Sequence, residues 1–474
     1  MGRRGACARA RCESGALRTT LRSMMYAFRA TLTLVCDSFI ASCREISTAS
    51  SQLQSHISVS CRRRRLSSST AHALAMAAPR FAALLQRLER GVACEHESAA
   101  DAHLGPADAR RLAAACAAHA SSPLTSLDVS TNSVGPAGGA ALASALAACP
   151  RLASLSLSDN VLIGRYLSDK GQAYDGEGAD CSAVHALLSP EATRCLSRLD
   201  LSHNHLGDEG ASALSLALAT LERPALELVL GFSKLTPKGV RLLCASLRRP
   251  VRPPGRKPAL GALQLRNNTL LAAGAAAVAA SLSPVDSAGE WTGTALAVSV
   301  LGLMNNHIEA EGARSIAGAL RGAQRGRNPF ISTLDVCSNC LGEAGVAALA
   351  ELLRPVESFA GPPEGFADGG GDVEMEKERF QGAPLASLLL HRNNAGDVGV
   401  AALCDALAEN ECLQELRVSN NHVHAEGAAA LAAALARPGC PLVAVDATRN
   451  HFSPAEEAAL LAAMPTIKIG HGPI

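Results

Sequence analysis

Leu196-Ser197-Arg198-Leu199-Asp200-Leu201-Ser202-His203-Asn204-His205-Leu206 places apolar residues at offsets 0, 3, 5 and 10 and an asparagine at offset 8. The same spacing begins at Leu124, Leu152, Leu260, Val298, Ile331, Leu385, Leu413 and Leu442. Ala225 opens a degenerate copy in which Ser233 takes the asparagine's place. Ten copies result, and the undisturbed distance from one asparagine to the next is 28 or 29 residues. Fixed periods of this length mark a chain built from stacked supersecondary units.

Offsets 3 and 5 alternate with polar neighbours, a period of two, and predict one face of a short strand. Beyond the asparagine comes a turn, then a stretch such as Gly207-Asp208-Glu209-Gly210-Ala211-Ser212-Ala213-Leu214, with apolar residues at helical spacing. Its Ala and Gly let a helix sit close against the strand. The asparagines Asn132, Asn160, Asn204, Asn268, Asn306, Asn339, Asn393, Asn421 and Asn450 are expected to form a ladder of amides that satisfy backbone groups of adjoining coils. One unit cannot bury enough surface to stand alone, so neighbours must stack.

Composition agrees. Apolar residues make up 48% of 474 positions, but aromatics only 3%, so Leu, Val and Ala must fill the core. Residues 1–75 hold twelve arginines, no lysine and three acids, a net +9, and leave −8 on the remainder. A mildly acidic body argues against a nucleic-acid surface, which needs clustered Lys and Arg. No run of eighteen apolar residues suggests a membrane helix.

The template, its period and the Gly-Asp-Glu-Gly helix entry resemble the ribonuclease-inhibitor-type leucine-rich repeats, over residues 100–474. The resemblance implies an α/β solenoid, a horseshoe with parallel β-strands on the concave face and helices on the convex face, in about ten repeats. Residues 124–463 are expected as the repeats, 76–123 as a helical N-terminal cap without the strand template, and 464–474 as a closing strand and tail. Residues 1–75, rich in Arg and Ser, read as a disordered arm, either a transit peptide or an extension upstream of a working start at Met76. Residues 355–384, with seven acids and a Gly-Gly-Gly run, read as a disordered acidic loop.

Outward strand positions supply the candidate partner-binding residues Arg198, Asp200, Gln264, Arg266, Asp335, His391, Glu415 and Arg417. Insertions add Tyr166, Tyr174 and Trp291, aromatics that the core pattern does not need. A short basic, Pro-rich insertion spans Pro250 to Pro258. No P-loop, GxSxG elbow or HExxH is present. Cys337 and Cys340 form a CxxC without a second pair of ligands, and His205, His307, His422 and His451 recur after ladder asparagines. Of these histidines only the last two fall in adjacent repeats. No catalytic residue, metal or cofactor is expected.

The expected function is therefore a non-enzymatic, monomeric protein-binding scaffold: receptor, inhibitor or adaptor. Ran GTPase-activating proteins and the innate-immune nucleotide-binding receptors carry similar repeats. The former suggest a regulator of a small GTPase as the alternative, although their acidic region is C-terminal rather than internal. Unpaired cysteine spacing suggests a reducing, cytoplasmic setting. Organelle import would follow if residues 1–75 are a transit peptide, and nuclear entry if Arg62 to Arg65 act as a signal.

Overall fold

The computed structural model describes residues 81–92, 95–118, 123–163, 180–250, 257–284, 292, 294–321, 328, 330–354 and 385–470. All of them fall in one compact unit. The expectations for residues 1–75 and 355–384, and for Tyr166, Tyr174 and Trp291, lie outside the described residues.

Ten strands occupy the template positions: β2 (Ser126–Asp128), β3 (Ser154–Ser156), β4 (Arg198–Asp200), β5 (Arg223–Val229), β7 (Leu260–Gln264), β9 (Val298–Gly302), β10 (Thr333–Asp335), β11 (Ser387–Leu389), β12 (Glu415–Arg417) and β13 (Ala444–Asp446). They join in one parallel sheet, in chain order. The register never slips at offset 3: Leu127, Leu155, Leu199 and Leu228 are successive partners, as are Leu263, Leu301, Leu334, Leu388, Leu416 and Val445. A one-residue slip would turn every buried leucine outward, which explains the strictness. Helices such as Gly207–Leu218, Glu309–Arg321 and Gly396–Leu407 return the chain and bury their Gly, Ala and Leu face on the sheet.

Residues 76–123, expected as a helical cap without the strand template, also hold a strand. Helical residues 81–89 and Pro106–Ala118 are present, but β1 (His96–Ser98) lies between them and pairs in parallel with β2. The sheet thus has eleven strands. The template misses β1 because Glu97 stands opposite Leu127, at a leucine position, and is buried. Arg87 makes this tolerable: its Nε and Nη2 donate to the two carboxylate oxygens at 3.0 and 2.6 Å. A paired charge can occupy a site where a lone one would be expelled.

The asparagine ladder holds the coils together. Asn204 Nδ2 donates to the carbonyls of Leu157 in the preceding repeat (2.8 Å) and Leu201 in its own (3.0 Å). Its Oδ1 accepts from the N–H groups of Asn160 (2.9 Å) and Leu162 (3.2 Å). The pattern recurs from Asn132 to Asn450. At Ser233 it lapses, for the hydroxyl turns to the Gly231 carbonyl of its own turn, at 3.4 Å.

To aim the amide inward, the chain enters the left-handed region on both sides of it. Offsets 7 and 9 have φ between +52° and +59° in eight repeats, His203/His205 and Asn420/His422 among them. Asn, Asp and His tolerate that region best among non-glycine residues, which accounts for His205, His307 and His422 without any ligand. Offset 11 is left-handed again at Gly135, Gly207, Gly342 and Gly396, but Leu271 holds the same position at φ +59° and is exposed. A left-handed L-residue costs ~1–2 kcal/mol, partly offset by the entropy of a glycine in the unfolded chain. Leu271→Gly is therefore expected to stabilise the fold by up to about 1 kcal/mol, read as a higher urea midpoint at unchanged slope; a lower midpoint would contradict the account.

Carboxylates extend the same cross-coil logic to the helices. Asp208, in the first turn of Gly207–Leu218, accepts from the N–H groups of Thr236 (3.2 Å) and Gly239 (3.0 Å) at the next helix start. Asp397 does the same for His424 (2.7 Å) and Gly427 (3.0 Å). Each satisfies otherwise orphaned helix N–H groups of its neighbour.

Outside the main sheet, β6 (Arg248–Pro250) pairs antiparallel with β8 (Thr294–Leu296). The Pro-rich insertion and the Trp291 insertion thus leave from one two-stranded stem. Arg248 fastens it, donating to Thr294 Oγ1 (3.1 Å) and the Ala280 carbonyl (2.8 Å). Buried Arg249 caps the carbonyls of Leu218 and Leu221, both at 3.0 Å, at the end of helix Gly207–Leu218, where a cation complements the helix dipole.

Candidate functional site

Strand geometry sends offsets 2, 4 and 6 away from the helices, onto one continuous wall. The candidate residues divide there into three groups. In the first, Arg198 donates to Glu227 on β5 and contacts Asp200 Oδ2 at 3.3 Å. In the second, Gln264 and Arg266 fold sideways over glycines: Gln264 Oε1 occupies the space a Cβ on Gly302 would need, and Arg266 Cγ lies 2.9 Å from a Cβ position on Gly231. With Val229 and Ala262 buried beside them, these glycines make a low, small-residue floor at the middle of the wall.

The third group gathers Asp335, His391, Glu415 and Arg417. Asp335 aligns with Leu389 and Leu389 with Arg417, with His391 two residues further along β11's exit. Glu415 Oε2 accepts from Ser387 Oγ at 2.7 Å and Oε1 from Arg417 Nε at 2.7 Å. The Ser387 hydroxyl first, and then Arg417, hold the Glu415 carboxyl below the usual carboxylate range. Burial lowers His391, so its ring favours the neutral form, while the Asp335 carboxylate pulls the other way. Burial, with Asp335 beside it, pushes the Cys337 thiol up and makes it a poor nucleophile.

Glu415 gives a direct test. An acid whose folded pKa is depressed adds stability above its unfolded pKa and loses it as pH falls through the folded value. Ser387→Ala should therefore move the Glu415 titration, followed by carboxyl-carbon NMR, upward toward the ordinary ~4.3. An unmoved midpoint would show that the hydroxyl does not hold the carboxylate.

Two roles were not legible in the sequence. Asp128, Asp200, Asp335 and Asp446 each place Oδ1 on the N–H two residues on, at 2.9 to 3.1 Å, ending the strand. Such local side-chain bonds compete with further strand pairing, so Asp335 has one oxygen committed to its own backbone, and Asp200 has both engaged, one by its backbone and one by Arg198. The second concerns histidines. His422 Nδ1 lies 3.3 Å from His451 Nε2, and His424, which the repeat pattern did not mark, stacks on His451 at 4.7 Å between centroids. Among the described residues no group of three or more His, Cys, Asp or Glu is arranged to hold a metal ion. Cys337 is buried and Cys340 exposed, and no disulfide joins any of the described cysteines. No described helix is long and apolar enough to cross a membrane.

A family model described as Leucine Rich repeat matches residues 120–143, 193–215 and 409–432. The ribonuclease inhibitor of Sus scrofa is 27% identical over 370 residues, which cover 67% of this chain and 75% of the inhibitor. The crystal structure of the leucine-rich repeat-containing protein LegL7 from Legionella pneumophila aligns with 74% of this chain and 93% of its own, at 17% identity and a TM-score of 0.40. With the repeating template, the in-register parallel sheet and the asparagine ladder, the first two matches support a leucine-rich repeat solenoid, similar to the repeats of the ribonuclease inhibitor.

Proposed function

We propose that this chain is a non-enzymatic scaffold that holds a protein partner against its strand wall. The observation that carries the reading is the wall itself: eleven parallel strands with mostly small, polar and mixed-charge side chains outward, over a described core built almost wholly of Leu, Val, Ile and Ala. Charged groups there are tied in pairs, as at Arg198–Glu227 and Glu415–Arg417, which presents fixed charge patterns at low ordering cost. The similarity to an inhibitor named for acting on a ribonuclease, itself a protein, supports a protein as the partner.

The test is affinity capture with the full chain, alongside a variant carrying Arg198→Glu and Arg417→Glu. A stoichiometric partner held by the parent chain and lost by the variant is the expected result. A partner held equally by both, or none at all, would overturn the reading. Receptor, inhibitor and adaptor are separated by what the captured partner then does; for a small GTPase, stimulated hydrolysis would make the chain its regulator. A cytoplasmic setting belongs to the same proposal, in keeping with buried thiols such as Cys244 and Cys404, which burial pushes up to about 12, and subcellular fractionation checks it.

A further inference from the structure

The turn after β5 breaks the habits of the coil at three consecutive positions. Phe232, Ser233 and Lys234 stand where other repeats put residues such as His203-Asn204-His205 or Asn305-Asn306-His307. Both flanking residues are left-handed, at φ +53° and +56°. Phenylalanine is a poor choice there, and its ring, 42% exposed, adds little to the core. Two repeats earlier, Val161 repeats the anomaly: β-branched, left-handed at φ +53° and 49% exposed. Ser233 meanwhile forgoes the ladder bonds. Local rules broken together, with little gain to the core, point to a surface kept for contact.

The surroundings define that contact. The Phe232 ring stacks on His203, with centroids 4.2 Å apart and planes 18° from parallel. The ladder register sets His205 between Val161 and Lys234, at the same offset in three successive turns. Arg266 reaches over Gly231 beside the ring, and its carbonyl accepts the Phe232 N–H at 3.1 Å. The exposed ring thus shares its turn with Lys234, two residues on, and adjoins Arg266 over Gly231, with Asp159 in the turn before His203, on a body that is otherwise acidic.

We propose that the turns after β3, β4, β5 and β7 dock the partner protein through an acidic segment that carries an aromatic or large aliphatic side chain. The proposal rests on the scaffold reading above and assigns it a second contact region at the wall's rim. The Phe232 ring, stiffened by His203, and Val161 supply the apolar anchor, while Lys234 and Arg266 select the sign of the approaching charge. A nucleic acid is disfavoured, since two cations opposed by Asp159 are too few to neutralise a phosphate chain.

The experiment uses the full chain and three labelled probes in fluorescence anisotropy: a short Glu/Asp peptide with a central Tyr-Leu, its Lys/Arg counterpart, and a single-stranded oligonucleotide of similar length. The acidic peptide should bind, weaken with added salt, and lose about tenfold or more in affinity on Phe232→Asn and on Lys234→Glu. Asparagine suits the left-handed backbone, so Phe232→Asn should keep or raise the melting temperature, which separates lost contact from lost folding. Equal binding of the acidic and basic peptides, no binding of either, survival of binding in Phe232→Asn, or binding of the oligonucleotide in place of the peptide would each overturn the proposal. None of these outcomes bears on strand-wall capture, so the scaffold reading succeeds or fails separately.

Discussion

Asn204→Ala is expected to destabilise the protein by about 3 kcal/mol or more, because its amide satisfies several buried groups at once and each stranded group costs ~1–3 kcal/mol. The N–H groups of Asn160 and Leu162 lose their acceptor, and the carbonyls of Leu157 and Leu201 lose a donor. Asn421→Ala should behave alike: its Oδ1 accepts from Asn393 (2.8 Å) and Ala395 (3.2 Å), and its Nδ2 donates to Leu390 (2.9 Å). Ser233→Ala is the internal control, since that hydroxyl makes one long bond within its own turn, and it should cost less than about 1 kcal/mol. Urea unfolding of the three variants decides the matter, and equal losses would refute the ladder as the inter-coil fastener.

The second large effect sits in a single helix and changes sign along it. A Cβ on Gly312 would crowd Ile308 Cγ2 and stand 2.7 Å from Ala275 Cβ on the preceding helix. Gly318, two turns further along the same helix Glu309–Arg321, has nothing within 4 Å of the same position. Gly312→Ala should therefore cost ~1–3 kcal/mol through overpacking. Gly318→Ala should gain about 1 kcal/mol through helix propensity. The glycine recurs at offset 14, as at Gly138, Gly210, Gly345 and Gly427, each with a neighbour closer than 3 Å to the added carbon. Thermal unfolding that shifts both variants the same way would show that propensity, not helix approach, governs the position.

These sites also show how far a one-dimensional reading reached. The period-two leucines dictated every template strand and its register, because burial on one face leaves a short strand no alternative. The ladder was legible for the same reason: an unpaired polar residue on an apolar beat must be bonded. β1 escaped because Glu97 reads as surface until Arg87 is seen against it. The β6–β8 stem escaped because Arg248 and Thr294 are 46 residues apart, and no periodicity joins them. On the wall, outward positions were readable from alternation alone, but their grouping was not. That Arg266 leans over Gly231, or that Asp335 bonds its own backbone, depends on neighbours that the template does not specify. The His203–Phe232 stack needed the ladder register, which places offset 7 of one turn beside offset 7 of the next.

The ladder also has a direction. Each asparagine closes the turn made before it: Asn160 serves the carbonyl of Val129, Asn204 that of Leu157, and Asn450 that of Val418. The carboxylates Asp208 and Asp397 face the opposite way and wait for the helix made after them. A coil is therefore left with open turn carbonyls unless its successor is in place, and it caps that successor's helix in return. Satisfaction thus depends on order: a chain cut after any repeat would keep every earlier coil sealed and strand only the turn of its last one.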